Sequence, residues 1–216
     1  MTEPTKDVVT APSAAFQAVM KFCKDHSAAT RLLLVATQDY AASRCLAQNL
    51  LITSLILGAQ ALEKYLKAYL LLENPDRNVR TLSHSLPRLL GEVDRLAPQL
   101  SLLRFIPLAE KFNAHYLARY PDNPDASKTM TTADVLELDE LIILLNENLP
   151  CPITVKYRTG LYAAITFSLN PVANVTPIER WIKSGNRALG PLLPRIEQNY
   201  NAVMKELYPA NQGSGC

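Results

Sequence analysis

The feature that most constrains this chain is the run Leu50–Asn74, LLITSLILGAQALEKYLKAYLLLEN. At 3.6 residues per turn, Thr53, Gln60, Glu63, Lys64 and Lys67 fall on one narrow polar stripe. Leu51, Leu55, Leu62, Leu66 and Tyr69 fall on the opposite face, and Ser54, Gly58, Ala61 and Ala68 form a flank of small residues. A helix apolar over most of its circumference must be surrounded by other helices. The small flank marks where one of them approaches closely. The run therefore predicts the central member of a helical bundle.

A membrane span is excluded for this run. Its uncharged part extends only from Leu50 to Leu62, and Glu63, Lys64 and Lys67 follow at once, whereas a span needs about 18 or more apolar residues. The start, MTEPTKDVVTAPS, lacks the apolar core of a signal peptide. Hydrophobic residues make up 48% of the 216 residues and charged residues 19%, the balance of an ordered globular chain. With a net charge of +2, any anion site must be a local patch rather than a global field. The four cysteines, Cys23, Cys45, Cys151 and Cys216, show neither C-x-x-C pairing nor metal-ligand spacing. They read as free thiols of a cytoplasmic protein.

Periodicity and caps place the remaining elements. Residues 1–12 read as a loose arm, and Ser13 caps a short helix with Phe16, Val19, Met20 and Cys23 on one face. A helix over about 28–47 carries Leu32, Val35, Ala36, Tyr40 and Ser43 along one side. Asn74-Pro75-Asp76 ends the central helix, and a basic loop with Arg77 and Arg80 leads to a helix over 86–97 capped by Ser85. A helix over about 99–118, kinked at Pro107, places Leu108, Phe112 and His115 together, with a loop over 121–125 beyond it. Thr131-x-x-Asp134 reads as a capping box before the stripe Val135, Leu138, Ile142, Leu145 and Leu149. In the last third, Ile153–Tyr157 and Leu161–Phe167 are rich in β-branched and aromatic residues around Arg158-Thr159-Gly160, which predicts a β-hairpin. Thr176-Pro177-Ile178-Glu179 opens a helix, and a closing helix over about 191–208 carries Ile196, Tyr200, Val203 and Leu207.

Four separated runs carry a family resemblance. Gly58–Leu71 matches small-x-Q-x-x-E-K-x-x-K-A at Gln60, Glu63, Lys64, Lys67 and Ala68, and Asp39-Tyr40-Ala41-Ala42 precedes it. His84-Ser85-Leu86-x-x-Leu89 and Arg119-Tyr120-Pro121-Asp122 follow in order. Together they resemble HEPN domains, in particular the subgroup found beside minimal nucleotidyltransferases. The resemblance covers about residues 28–149. It implies a mainly α, up-and-down helical bundle over that range. Residues 1–27 form an N-terminal arm and short helix, and 150–216 a C-terminal extension with the hairpin and one or two helices.

The resemblance also frames the chemistry. HEPN ribonucleases use R-x(4–6)-H, in which the histidine acts on a ribose hydroxyl and the arginine holds phosphate. Arg77 and His84 satisfy R-x6-H, but they precede the third bundle helix rather than lying near the last. The bland alternatives are a capping or hydrogen-bonding role for His84, a core role for His115 and a surface role for Arg119. No nucleotide-loop, nucleophile-elbow or H-E-x-x-H motif occurs, so neither cofactor nor metal is expected. The expectation is a non-catalytic, toxin–antitoxin-like binding module, homodimeric through the apolar faces of the central and 133–149 helices. It would bind RNA or nucleotide, or pair with a nucleotidyltransferase, with an anion site formed by Arg77, Arg80, His84 and Arg119. The alternatives are a metal-independent ribonuclease using Arg77 and His84, and a purely structural interaction module.

Overall fold

A computed structural model describes residues 12–49, 53–79, 81–82, 84–117, 130–169 and 177–209. Among them the chain is mainly helical, and no strand occurs. Helix α1 spans Ala14–Asp25, α2 Ser27–Gln48, α3 Thr53–Glu73, α4 Leu86–Leu96, α5 Ile106–Leu117 and α6 Thr132–Glu147. Short helices α7 (Ile153–Lys156), α8 (Leu161–Ile165) and α9 (Pro177–Lys183) follow, and α10 (Leu193–Leu207) closes the chain. No described helix is long and apolar enough to cross a membrane.

Helix α3 is central, packing along α2 and also against α4, α5 and α6. Partner numbers fall along α3 as they rise along α2, so the two are antiparallel. Thr37 Oγ1 meets the Tyr65 hydroxyl at 2.8 Å, Lys64 pairs with Asp39, and Ser43 Oγ donates to the Ser54 carbonyl at 2.7 Å. The small flank does what the spacing predicts. A Cβ on Gly58 would lie 2.9 Å from Phe112 Cε2, 3.1 Å from Ser43 Oγ and 3.3 Å from Leu138 Cδ2. Three helices thus converge on the one residue of α3 without a side chain. Among the described residues, the exposed large apolar side chains, such as Leu34, Leu96 and Leu103, lie outside α3 and α6.

Several caps form as expected. Ser13 Oγ accepts from the Phe16 amide, and Thr131 with Asp134 forms the full capping box of α6. Burial would raise the Asp134 carboxyl, but hydrogen bonds from Lys111 and Thr131 outweigh it and hold it below its ordinary value. The helix expected over 99–118 is instead broken. Two 3-10 turns, Pro98–Leu100 and Leu102–Phe105, precede α5, with Ser101 in the left-handed region between them. Pro107 sits in the first turn of α5, where no amide is required of it, so it starts a helix instead of kinking one.

The expected β-hairpin is wrong. Just after Pro152 the chain turns, with the Val155 amide donating to the Pro152 carbonyl at 2.9 Å. Burial is contiguous at Val155, Lys156 and Tyr157, and then falls on Leu161, Tyr162 and Ile165. That is helical spacing, not the alternation of a strand. Strand propensity here reflected burial, which two short helices satisfy equally well. Gly160 joins them at φ 74°, a left-handed conformation that glycine adopts without cost, and its Cα side lies against Leu33 of α2.

One continuous core runs from α1 to α10. Helix α1 and the end of α10 pack on each other: Ser13 Oγ donates to the Leu207 carbonyl at 2.8 Å, and the Phe16 and Tyr208 rings lie 5.6 Å apart. The strongest tie between the bundle and the last third is buried and polar. Arg44 of α2 pairs with Asp139 of α6, and its Nε donates to the Trp181 carbonyl at 2.9 Å. Asp139 also accepts from the Tyr40 hydroxyl at 2.6 Å, and Asn186 Nδ2 donates to that hydroxyl at 2.9 Å. Burial pushes the Asp139 carboxyl up, against the pull of Arg44.

Two outcomes test this packing. Gly58→Val forces Phe112 and Ser43 aside and should cost about 1–3 kcal/mol, read as a lower urea midpoint. Asp139→Ala strands a buried guanidinium and should cost about 3–5 kcal/mol in the same measurement.

Candidate functional site

Residues of Asp39–Ala42, Gly58–Leu71 and His84–Leu89 meet along the polar stripe of α3. Glu63 Oε1 accepts from Lys67 Nζ at 2.7 Å, one helical turn on, and lies 2.9 Å from His84 Nδ1. Lys64, on the same stripe, pairs with Asp39 of α2. The Glu63 and Lys67 side chains are each only 12% exposed, whereas that of His84 is 65% exposed. The carboxylate therefore sits at the floor of the cluster and the imidazole at its rim. An Nδ1–H donated to Glu63 selects the tautomer whose Nε2 is the basic nitrogen. Partly exposed ion pairs of this kind contribute roughly 0–1 kcal/mol each. They orient side chains more than they hold the fold.

Arg77 belongs to a second cluster. Its NH2 donates to Glu92 Oε2 of α4 at 2.6 Å, and Arg95 binds the same carboxylate from one turn away. Arg77 thus pairs with Glu92 rather than with its neighbour Asp76. The hydrogen bond from Arg77, with Arg95 nearby, holds the Glu92 carboxyl below its ordinary value. The loop that carries Arg77 is shaped by Asn74, whose side-chain oxygen accepts from the Asp76 amide and whose carbonyl accepts from the Arg77 amide, both at 3.1 Å.

Of the four expected anion-site residues, then, Arg77 is held by Glu92 and His84 by Glu63. Arg80 and Arg119 lie outside the described residues, as do the Arg119-Tyr120-Pro121-Asp122 run, the 121–125 loop and the side chain of His115. Glu92 was not anticipated. Its place seven residues after Ser85, beside Arg88 and Arg95 on a short amphipathic helix, gave no sign that it reaches back to the preceding loop. Among the described residues, no group of three or more His, Cys, Asp or Glu side chains could hold a metal ion. Cys23, Cys45 and Cys151 are free thiols.

In comparisons with known proteins, no family model, curated protein or solved structure matches this chain.

The lowered Glu92 value gives the cluster a pH signature. A carboxyl with a depressed folded-state pKa adds stability that is complete above its unfolded value, about 4.3 for glutamate, and is lost as pH falls through the folded value. Wild type should exceed Glu92→Gln in denaturant midpoint at pH 7. The gap should close below about pH 4, and a gap independent of pH would refute the pairing.

Proposed function

We propose that this chain is a non-catalytic, HEPN-like helical module that binds RNA or nucleotide phosphate beside the α3–α4 connection. One observation carries the reading. Residues from three separated runs of the resemblance occupy a single ionic face: Asp39 meets Lys64, and His84 and Lys67 share Glu63. The nucleotidyltransferase-associated subgroup that the runs resemble extends the proposal to a nucleotidyltransferase as protein partner.

The electrostatics favour binding over cleavage. A ribonuclease of this type needs its arginine and histidine on the same phosphodiester. Here Arg77 and His84 are held by different carboxylates on different helices. An arriving phosphate has to compete with Glu92 for Arg77, and arginine's planar fork suits the exchange because it binds phosphate and carboxylate by the same paired geometry. The rival ribonuclease reading has one feature in its favour, the contact between Glu63 and the His84 ring, which is how a carboxylate orients a general base.

Fluorescence anisotropy with single-stranded RNA tests both. Wild type should bind with an affinity that falls steeply as salt rises. Arg77→Ala with Arg80→Ala should weaken binding, and Glu92→Gln should strengthen it by releasing Arg77 and Arg95. No binding at low salt would sink the proposal. Chelator-resistant cleavage that disappears in His84→Ala at an unchanged melting temperature would replace it with the ribonuclease.

A further inference from the structure

A second polar site lies away from this face, in the last third of the chain. A cavity of about 190 Å³ is lined by Glu147 at the end of α6, Lys156 and Tyr157 at α7, Tyr162 of α8, and Arg195 and Asn199 of α10. Ile153 and Ile196 supply an apolar wall.

Two of its lining groups are left incomplete by the protein. Lys156 is 8% exposed, and lysine is almost never buried without a paired charge. Its Nζ donates to the Glu147 carbonyl, and no carboxylate among the described residues pairs with it. The Glu147 carboxylate is instead taken by Arg195 at the rim. An ammonium carries three donors, so one carbonyl leaves it unsatisfied. Burial lowers the Lys156 ammonium from its ordinary value, although Cys151 and the nearby Glu147 carboxylate pull the other way. The other incomplete group is Tyr162, 3% exposed, whose hydroxyl is buried with no hydrogen-bond partner. Its neighbour Tyr157 is not available in the same way, because its hydroxyl already donates to the Ile196 carbonyl at 2.8 Å.

The charges then sum simply. Arg195 and Glu147 cancel, which leaves one buried cation and one hydroxyl donor in a small space with an apolar wall. We propose that this cavity binds a small monocarboxylate, its oxygens accepting from Lys156 Nζ and the Tyr162 hydroxyl and its short alkyl end lying against Ile153 and Ile196. A singly charged acid with a short alkyl end matches one buried cation that has no salt bridge among the described residues and an apolar wall beside it.

Butyrate, its neutral analogue butyramide and inorganic phosphate form the test set, titrated into the full chain and followed by amide-resolved NMR. Butyrate should give saturable shifts centred on residues 153–162 and 195–199, and butyramide and phosphate should bind at least about tenfold more weakly. Tyr162→Phe removes only an oxygen with no partner inside the protein. It should leave the melting temperature unchanged or higher while weakening butyrate about tenfold. Lys156→Met should abolish binding; if that variant does not fold, Tyr162→Phe decides. No saturable shift with butyrate, equal affinity for butyramide or phosphate, or wild-type affinity in Tyr162→Phe would each overturn the proposal.

Discussion

The structure depends on a buried ion pair that joins its two halves. Arg44 and Asp139 lie 95 residues apart in sequence and are both nearly inaccessible to water. Apolar packing would be compatible with several rotations of α6 against α2, because leucine, isoleucine and alanine fit many neighbours. A buried guanidinium tolerates far fewer. It needs the Asp139 carboxylate on one side and, on the other, the carbonyls of Trp181 and Ser184 left open at the end of α9. Replacing such a pair with well-packed apolar residues is often neutral or stabilising. Its value here is therefore register. It sets the rotation of α6, brings the α9 turn against α2, and positions Asn186 to complete Tyr40.

That register determines which surfaces remain for function. With α2, α4, α5 and α6 around α3, and Gly58 allowing Phe112 and Leu138 to close in, the central helix keeps its polar stripe near solvent, with Ile56 and Leu57 half-buried beside it. Fully burying a leucine-sized side chain is worth about 1.5–3 kcal/mol, so the apolar faces cannot be spared for a ligand without unfolding the bundle. The stripe costs little to perturb by comparison. A binding surface built there can exchange partners without loss of the fold.

What could be read from the sequence was local. The polar stripe, the small flank at Gly58, the caps at Ser13 and Thr131 and the extents of α2, α3, α6 and α10 follow from spacing alone. The failures were of two physical kinds. At 153–167, β-branched and aromatic residues announced burial, and burial was taken for strands, although Leu161, Tyr162 and Ile165 already had helical spacing. Long-range polar contacts were missed because nothing local encodes them. Asp139 stood beside Leu138 in an otherwise apolar stripe, and Arg44 stood four residues after Tyr40 on a buried face. Each was an anomaly on its own helix, and matching two such anomalies across the chain was the available clue. The contact between Glu63 and His84 was legible only as two neighbouring motifs, and the Glu92 partner of Arg77 was not legible at all.

Carboxylates decide what each cation can do in this chain, which has 22 lysines and arginines against 20 aspartates and glutamates. Glu63 restrains Lys67 and His84, Glu92 restrains Arg77 and Arg95, Glu147 restrains Arg195, and Asp139 immobilises Arg44. Where a pair is near solvent, as at Glu92, its partners can separate at little cost, because both regain water. Where it is buried, as at Asp139, separation leaves a naked charge and the pair is permanent. Among the described residues, the buried cations are Arg44 and Lys156. The first has a carboxylate in direct contact and serves the fold; the second donates to the Glu147 carbonyl and lines an adjoining cavity.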